Sequence, residues 1–257
     1  MSFLKWENDQ YISTAVINRP PANALASDLI NEVDGWLDAV EHDDNVRVLL
    51  IHGEGRFFSA GADIKEFTQI DSGAAFSKLA ERGQKVFERM EAFSKPIIAS
   101  IHGAALGGGL ELAMGCHIRY VSETAKLGLP ELQLGLVPGF AGSQRLPRFV
   151  GFAKAAEMLL SSDPITGEEA VQWGLANKAF PEDEVLEKSK ALASKLAGKS
   201  PVSVKAALDL LQYSKTADFH EGVAKEAEIF GEVFVSEDAK EGIKAFIDKR
   251  KPEFKGR

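Results

Sequence analysis

Cysteine is almost absent from this chain of 257 residues, which contains only Cys116. A single cysteine cannot form an intramolecular disulfide, and no CxxC or clustered Cys/His spacing indicates a zinc site. With 45% hydrophobic residues, the chain can bury one large core without cross-links or metals. We therefore expect a globular protein of a reducing compartment, the cytoplasm, with no bound metal.

Positive charge and long apolar runs are also scarce. The net charge is −8, whereas a nucleic-acid surface requires clustered Lys and Arg. Such a cluster occurs only in the C-terminal DKRKPEFKGR, which we interpret as a solvated end, with a local phosphate site as the alternative. The weakly polar run 96–115 is interrupted by His102 and Glu111, and the N-terminus lacks the pattern of a targeting segment. These absences argue against nucleic-acid and membrane partners.

Strand and helix patterns alternate through the first two thirds of the chain. Two short strands are predicted within 4–17, followed by an amphipathic helix with Ser27 as its N-cap. NVRVLLIHG and PIIASIHG resemble strands covered on both faces, and a helix over 76–93 separates them. This order predicts parallel β units joined by helical crossovers, and hence an α/β fold.

The last third of the chain is predicted to be helical. Thr166 and Glu169 form a capping-box pair, and Gly174 is placed as a C-cap. Helices are expected near 182–198, 201–214, 218–235 and 237–249. Because no linker composition separates the parts, we interpret the chain as one catalytic core with a helical C-terminal extension.

The segment GAALGGGLELAMG, residues 103–115, combines three successive glycines with a glutamate in apolar surroundings. It does not fit G-x-G-x-x-G, because Leu112 replaces the last glycine. Gly107–Gly109 suit a tight strand-to-helix turn or close helix packing. Alternatively, they expose backbone amides at a helix N-terminus, where an anion or oxyanion is stabilised. Glu111 favours the second interpretation, because an unpaired buried carboxylate is costly.

Two further segments carry similar signals. GRFFSAGADIKEF, residues 55–67, follows a predicted strand and is either a hairpin, a strand-end turn or part of a ligand site. In LGLPELQLGLVPGFAGSQRL, Glu131 is either a surface-turn glutamate or a second acid in an apolar setting. Because ligands bind at the carboxyl ends of parallel strands, the glycine segments are predicted to converge on one site.

Taken in order, these segments resemble the crotonase (enoyl-CoA hydratase/isomerase) superfamily, and most of all its enoyl-CoA hydratases. The similarity rests on NRPPANAL, FFSAGADIKEF, HGAALGGGLELAMGCHIRY, LGLPELQLGLVPGFAGSQRL and ITGEEAVQWGL. It implies a crotonase-like spiral of ββα turns over residues 1–195 and a helical oligomerisation region over 196–257. Relatives commonly form trimers and dimers of trimers, so a homo-oligomer is expected.

The resemblance also implies roles for particular residues. The amides of Ala62 and Gly108 match the oxyanion hole, and Glu111 and Glu131 match the two catalytic glutamates of hydratases. Many superfamily members retain one of these carboxylates or neither, so the presence of both favours a hydratase. The loop from Ala60 to Lys65 matches the part that meets the adenine and phosphate end of CoA, with Lys65 as a charge for a phosphate. The implied substrate-binding residues are Ala60, Ala62, Asp63, Ile64, Lys65, Gly108 and Gly139.

The predicted activity is reversible syn hydration of a short- or medium-chain trans-2-enoyl-CoA to the 3-hydroxyacyl-CoA, as in fatty-acid β-oxidation. The substrate is an acyl-CoA thioester, and no cofactor is expected because CoA belongs to the substrate. By family analogy, Glu111 activates water and Glu131 protonates C2, and the buried pair is expected to share a proton. The alternatives are double-bond isomerisation and a non-catalytic acyl-CoA-binding or RNA-associated subunit.

Three positions depart from the family pattern. His117 replaces a common aspartate and is interpreted as a structural histidine. Phe140 and Ala141 replace residues that are often smaller, and Phe140, beside Gly139, is expected to narrow the acyl site. Cys116 is expected to pack inside without reacting.

Overall fold

A computed structural model describes residues 2–67 and 72–257. These residues form two β-sheets surrounded by helices, as the α/β prediction expects. The strands are Leu4–Asp9 (β1), Ile12–Ile17 (β2), Val48–Gly53 (β3), Ile97–Ile101 (β4), Ala104–Leu106 (β5), Ile118–Ser122 (β6), Lys126–Gly128 (β7), Ile165–Thr166 (β8) and Lys178–Phe180 (β9). The helices are Ser27–Glu41 (α1), Ile64–Phe67 (α2), Gly73–Glu91 (α3), Gly108–Gly115 (α4), Gly142–Ser161 (α5), Gly167–Gln172 (α6), Val185–Ala197 (α7), Pro201–Thr216 (α8), Phe219–Phe234 (α9) and Glu237–Ile247 (α10), with a 3-10 helix at Glu131–Leu134.

The larger sheet has the strand order β1-β2-β3-β4-β6-β9. β1 and β2 are antiparallel, whereas β2, β3, β4, β6 and β9 run parallel to their neighbours. Helix α7 covers one face of β3 and β4 through Val48, Leu50 and Ile98. The other face contributes to the main core, together with Trp36 of α1 and Phe87 of α3. Cover on both faces explains why these strands read as continuous apolar runs.

The smaller sheet, of order β5-β7-β8, gives the chain its spiral. After β4 the chain enters β5 and then α4, and after β6 it enters β7 and then the 3-10 helix. Ser59, after β3, forms an isolated parallel bridge with Ala105, which is paired with Leu127 in β7. The segments of three successive turns, at Ser59, Ala105 and Leu127, therefore lie side by side and continue from the same edge of the smaller sheet.

The C-terminal third contains the predicted helices. The capping box between Thr166 and Glu169 is present at α6, and Gly174 follows that helix with φ +80°. The predicted division between residues 195 and 196 falls near the end of α7, which packs on the larger sheet, and the two-region description stays a prediction. Within 2–67 and 72–257, we find no helix of the length and apolarity that a bilayer crossing requires.

The N-cap predicted for α1 is wrong. The helix already begins at Ser27, so the cap position belongs to Ala26, whose methyl group accepts no hydrogen bond. The Ser27 amide instead donates to the Glu66 carboxylate at 3.0 Å. Glu66 lies 39 residues away along the chain, so local sequence carried no sign of it. The contact ties α2 to the start of α1.

Candidate active site

A cavity of about 210 Å³ lies at the edge where the three turns of the spiral meet. Its wall is completed by α3 and by the chain between the 3-10 helix and α5. The lining residues are Ala60, Gly61, Ala62, Ile64, Leu79, Ala80, Gly107, Gly108, Glu111, Pro130, Glu131, Leu134, Leu136, Val137, Gly139 and Phe140. The two glycine segments and Glu131 therefore converge, as the strand-end argument predicts. A mostly apolar wall with a few polar groups is typical of a small-molecule site.

Two backbone amides are open toward this cavity. Ala62 follows Gly61, which has φ +106°, and Gly108 is the first residue of α4 after Gly107, with φ +51°. Within the part of the chain that the structure describes, neither the Ala62 amide nor the Gly108 amide donates a hydrogen bond. The Gly108 amide also lies at the positive end of the α4 dipole. The pair suits an oxygen atom that carries negative charge.

The geometry of the glycine triplet is compatible with both interpretations that the sequence left open. A Cβ at Gly109 would lie 2.3 Å from the Ser59 carbonyl oxygen, so close packing of α4 excludes a side chain there. A Cβ at Gly107 would lie 3.0 Å from Glu131 Oε1, inside the cavity. Close packing and open amides are thus properties of the same turn.

Glu111 lies in the first turn of α4 with 1% of its surface exposed. Its Oε1 accepts hydrogen bonds from the amides of Phe140 at 2.8 Å and Gly142 at 2.7 Å. Burial raises the pKa of Glu111 to about 7; the charge of Glu131 adds to this, whereas both amides and Arg145 act to lower the pKa. A carboxyl group with this pKa exchanges protons near neutral pH, as general acid–base catalysis requires.

Glu131 opens the 3-10 helix and is half-buried. Its Oε2 has no hydrogen-bond partner among the described residues, although it is buried. Burial raises the pKa of Glu131 above its ordinary value. The two carboxyl groups line one cavity, and burial raises the pKa of both, with the like charge of Glu131 adding to the rise at Glu111.

The loop of residues 139–142, called the anchoring loop below, supplies both amides that bind Glu111. Gln84 in α3 donates to the Gly139 carbonyl at 2.9 Å, and Arg145 in α5 donates to the Phe140 carbonyl at 2.8 Å. Ala141 has φ +68°, a left-handed conformation that is costly for a residue with a Cβ. The loop is thus fixed on both sides while its amides point at Glu111.

The Phe140 side chain forms part of the cavity wall. Its ring packs edge-on against Phe87 with centroids 5.5 Å apart. The ring also occupies the space that a side chain at Gly83 would need, because a Cβ there would lie 2.4 Å from Phe140 Cδ1. This placement supports the expectation that Phe140 narrows the site.

Gly142 is a functional position that sequence reasoning missed. A Cβ there would lie 2.8 Å from Glu111 Oε1 and 3.0 Å from Leu129 Cδ1. Its only signal in the sequence is a glycine just before a helix, which also suits many ordinary turns. The contact joins positions 31 residues apart, so no local pattern reveals it.

The far end of α4 is fixed by a buried arginine. Arg119 donates to the carbonyls of Ala113, Cys116 and Leu175 at 3.2, 2.6 and 2.7 Å. Its guanidinium also lies over the Phe149 ring, 4.4 Å from the centroid. The bonds to Ala113 and Cys116 engage carbonyls at the end of α4, where the helix lacks its own donors. Both ends of the short helix are therefore anchored around Glu111.

The residues next to this helix end match their predicted structural roles. Burial raises the pKa of Cys116 to about 12, so its thiol stays protonated at neutral pH. Burial lowers the pKa of His117 to about 4, and its Nδ1 accepts from the Ile97 amide at 3.0 Å. A neutral histidine between α4 and β6 that binds the backbone of β4 is a structural residue.

The predicted substrate-binding loop is only partly at the cavity. Ala60, Ala62 and Ile64 line it, as does Gly139. The Asp63 carboxylate instead forms an ion pair with Arg19 at 2.6 Å. Lys65 belongs to α2, and its side chain, with the predicted phosphate contact, lies outside the described residues. The binding roles of these residues stay predictions.

The chain is similar in sequence to a known family and to several known proteins. The family described as enoyl-CoA hydratase/isomerase matches residues 7–257. The chain is 59% identical to a probable enoyl-CoA hydratase of Bacillus subtilis over 96% of both proteins. It is 41% identical to the short-chain-enoyl-CoA hydratase of Clostridium acetobutylicum, covering 98% of this chain and 97% of that one.

The fold is shared with solved structures. The crystal structure of the enoyl-CoA hydratase of Bacillus anthracis matches with a TM-score of 0.95 and 32% identity, covering 99% of this chain and all of that one. Nearly the whole chain, including the C-terminal helices, has its counterpart there. This similarity confirms the predicted fold class.

Proposed function

The chain belongs to the enoyl-CoA hydratase/isomerase family, and we propose that it is a hydratase that adds water, reversibly and syn, to a trans-2-enoyl-CoA. The product is a 3-hydroxyacyl-CoA. The observation that carries this proposal is the pair of half- to fully buried carboxyl groups, Glu111 and Glu131, facing one cavity beside two open amides. A hydration that moves two protons needs two such groups.

The oxyanion hole consists of the Ala62 and Gly108 amides. As water adds to C3 of a conjugated enoyl thioester, electron density moves to the thioester oxygen. Two amides fixed by the protein fold stabilise this charge more than they stabilise the neutral carbonyl, so they lower the barrier. The α4 dipole strengthens the Gly108 contact.

The two glutamates divide the proton transfers. Glu111 removes a proton from water while the water oxygen bonds to C3, and Glu131 delivers its proton to C2. Two amide donors favour the ionised form of Glu111. Glu131 has a hydrogen bond from its own backbone amide, and its Oε2 has no partner among the described residues, so its charged form is less favoured by donors. A proton must then pass from Glu111 back to Glu131, directly or through solvent, before the next turnover. The pair titrates as one unit.

The remaining features of the proposal concern the substrate and its setting. The acyl group is short or medium, because the cavity is small and Phe140 closes part of it. The loop from Ala60 to Lys65 binds the CoA moiety, and no separate cofactor is needed. The setting is fatty-acid β-oxidation or a related acyl-CoA pathway in the cytoplasm.

The protein is proposed to act as a homo-oligomer, a trimer or a dimer of trimers. Large apolar side chains on the C-terminal helices support this assembly. Phe230 and Phe234 of α9 are 70% and 56% exposed, and Phe246 of α10 is 85% exposed. Apolar surface of this kind is typical of a contact between protein chains.

Loss of the absorbance of the conjugated thioester on mixing with crotonyl-CoA tests the activity. An acyl-CoA-binding subunit leaves that signal unchanged, and conversion of a 3-enoyl-CoA to the 2-enoyl-CoA without hydration identifies the isomerase. Glu111→Gln and Glu131→Gln should each lose about 10²- to 10⁴-fold in kcat, with the exposed Glu157→Gln as the control. Near-normal hydration in either site variant would make the two-acid assignment wrong.

A further inference from the structure

The charged groups behind the anchoring loop form a chain that leads from Glu111 to the C-terminal helices. Arg145 is only 3% exposed, and its Nη1 donates to the Phe140 carbonyl at 2.8 Å. The amide of the same Phe140 donates to Glu111. The buried Arg145 guanidinium therefore binds the carbonyl of Phe140, and the amide of the same residue binds the Glu111 carboxylate.

Arg145 is itself held by an acid. Its Nε donates to Glu91 Oε2 at 3.0 Å, and Lys215 of α8 donates to Glu91 Oε1 at 2.8 Å. Gln212, also in α8, donates to the backbone carbonyl of Glu91. Although burial acts to raise it, the pKa of Glu91 is held below its ordinary value by hydrogen bonds from Lys215 and Arg145. Glu91 is therefore ionised at neutral pH and fixes the arginine fork.

The charged groups around Arg145 and Glu91 also affect the pKa of Glu111 and of neighbouring residues. Glu131 and Arg145 act on Glu111 with opposite signs, raising and lowering its pKa respectively. Glu91 lies close enough to His117 and Arg119 to affect their titration as well. Arg145 thus has two separable effects on Glu111: it holds Phe140 in the loop that supplies both amide donors, and its charge favours the carboxylate.

We propose that Arg145 is a positioning residue of this enzyme, which orients Glu111 through the anchoring loop, and that Glu91 and Lys215 link this device to α8. The inference rests on the proposed hydration, in which Glu111 must be ionised and aimed at water. Arg145 acts on Glu111 through the anchoring loop, because its guanidinium binds the loop backbone and the loop amides, not the guanidinium, bind the carboxylate. Reaction rates respond steeply to such small displacements.

The test compares full-length variants by melting temperature, kcat and KM for crotonyl-CoA over pH, and a carbon-13 NMR titration of labelled glutamate. The Glu111 signal is assigned by its loss in Glu111→Gln. The variants are Arg145→Met, Arg145→Lys, Glu91→Gln and Lys215→Met. Lys190→Met, which breaks an exposed ion pair with Glu187 on α7, is the matched control.

Arg145→Met should lower kcat about 10²-fold with little change in KM, since the substrate contacts remain. It should also raise the Glu111 pKa and move the acidic limb of the pH–rate profile to higher pH, because the favourable charge is lost. Arg145→Lys restores the pKa but only part of kcat, because lysine keeps the charge and lacks the fork. Glu91→Gln should lower kcat about tenfold, and the half-exposed Lys215 should matter least.

A folded Arg145→Met with the kcat and Glu111 pKa of Lys190→Met would overturn the proposal. If Arg145→Met does not fold, the decision passes to Arg145→Lys and Glu91→Gln, and control-like kcat in both overturns it. Failure of the wild type to hydrate crotonyl-CoA would instead refute the proposed function. The NMR titration would then still decide whether Arg145 sets the state of Glu111.

Discussion

Glu111 and Glu131 face the same cavity from two regions that are built differently. Glu111 belongs to an eight-residue helix that is buried along its whole length, and two amides hold its carboxylate. Glu131 begins a 3-10 helix that leads into exposed chain, where Leu134 and Val137 are 59% and 74% exposed. Its Oε2 has no described partner. In the proposed mechanism, the hydrogen-bond donors around each carboxyl group, and not the residue type, favour Glu111 as the base and Glu131 as the acid.

Shortening each acid by one methylene should reveal this difference most strongly. Glu111→Asp is expected to lose about 10²- to 10³-fold in kcat, because its carboxylate cannot keep both amides and still reach the water. Glu131→Asp is expected to lose about tenfold, because no donor fixes Oε2 and the adjoining chain is exposed. Steady-state kinetics with crotonyl-CoA measure both. Equal losses would contradict the distinction between a fixed and an unfixed acid.

The anchoring loop can be disturbed without changing either acid. Gly142→Ala introduces a Cβ 2.8 Å from Glu111 Oε1, so the carboxylate must move, and kcat should fall about 10²-fold. Gly222→Ala in α9, where nothing lies within 4 Å of the added atom, is the control. Kinetics and melting curves separate displacement of Glu111 from general destabilisation. Normal kcat in Gly142→Ala would show that the Gly142 contact is dispensable.

Phe140 allows the acyl side of the cavity to be changed in both directions. Phe140→Leu should raise kcat/KM for a C10 enoyl-CoA relative to crotonyl-CoA by about tenfold, since each buried methylene contributes about 0.8 kcal/mol. Gly83→Ala should lower the same ratio, because its Cβ would lie 2.4 Å from Phe140 Cδ1 and push the ring inward. A chain-length series gives the ratio, and no change in Phe140→Leu would place the acyl chain elsewhere.

The burial of Glu111 also predicts an effect of pH on stability. The pKa rises from 4.5 to about 7 on folding, so the folded state binds a proton that the unfolded state releases. The resulting stabilisation is complete below pH 4.5 and is lost as pH rises through about 7, to the extent of about 3 kcal/mol. Between pH 5 and 8 the wild type should therefore lose roughly 5–10 °C of melting temperature relative to Glu111→Gln. Parallel curves for the two proteins would contradict the raised pKa.

Much of the fold was predictable because its signals are local. The apolar runs of β3 and β4, the capping box at Thr166 and the breaks between the C-terminal helices all lie within a few residues of what they specify. The convergence of Ala62, Gly108 and Glu131 followed from a general property of parallel sheets together with family resemblance.

The parts that sequence reasoning missed are bonds between distant segments. Glu66 replaces Ser27 as the cap of α1, Gly142 holds Glu111, and Arg145 meets Glu91 across 54 residues. Each of these contacts forms because two elements distant in sequence pack together. The residue types and spacings in the sequence do not indicate which residues will meet. Periodicity identifies the faces of elements, but it does not identify the side chain that bridges two of them.

Ala141, with its left-handed backbone, suggests a route to a more robust biocatalyst. Its methyl group makes the turn costlier without contributing to the two amides that flank it. Glycine at this position adopts the same geometry freely. Ala141→Gly is therefore a substitution beside the catalytic groups that should raise thermal stability without lowering kcat.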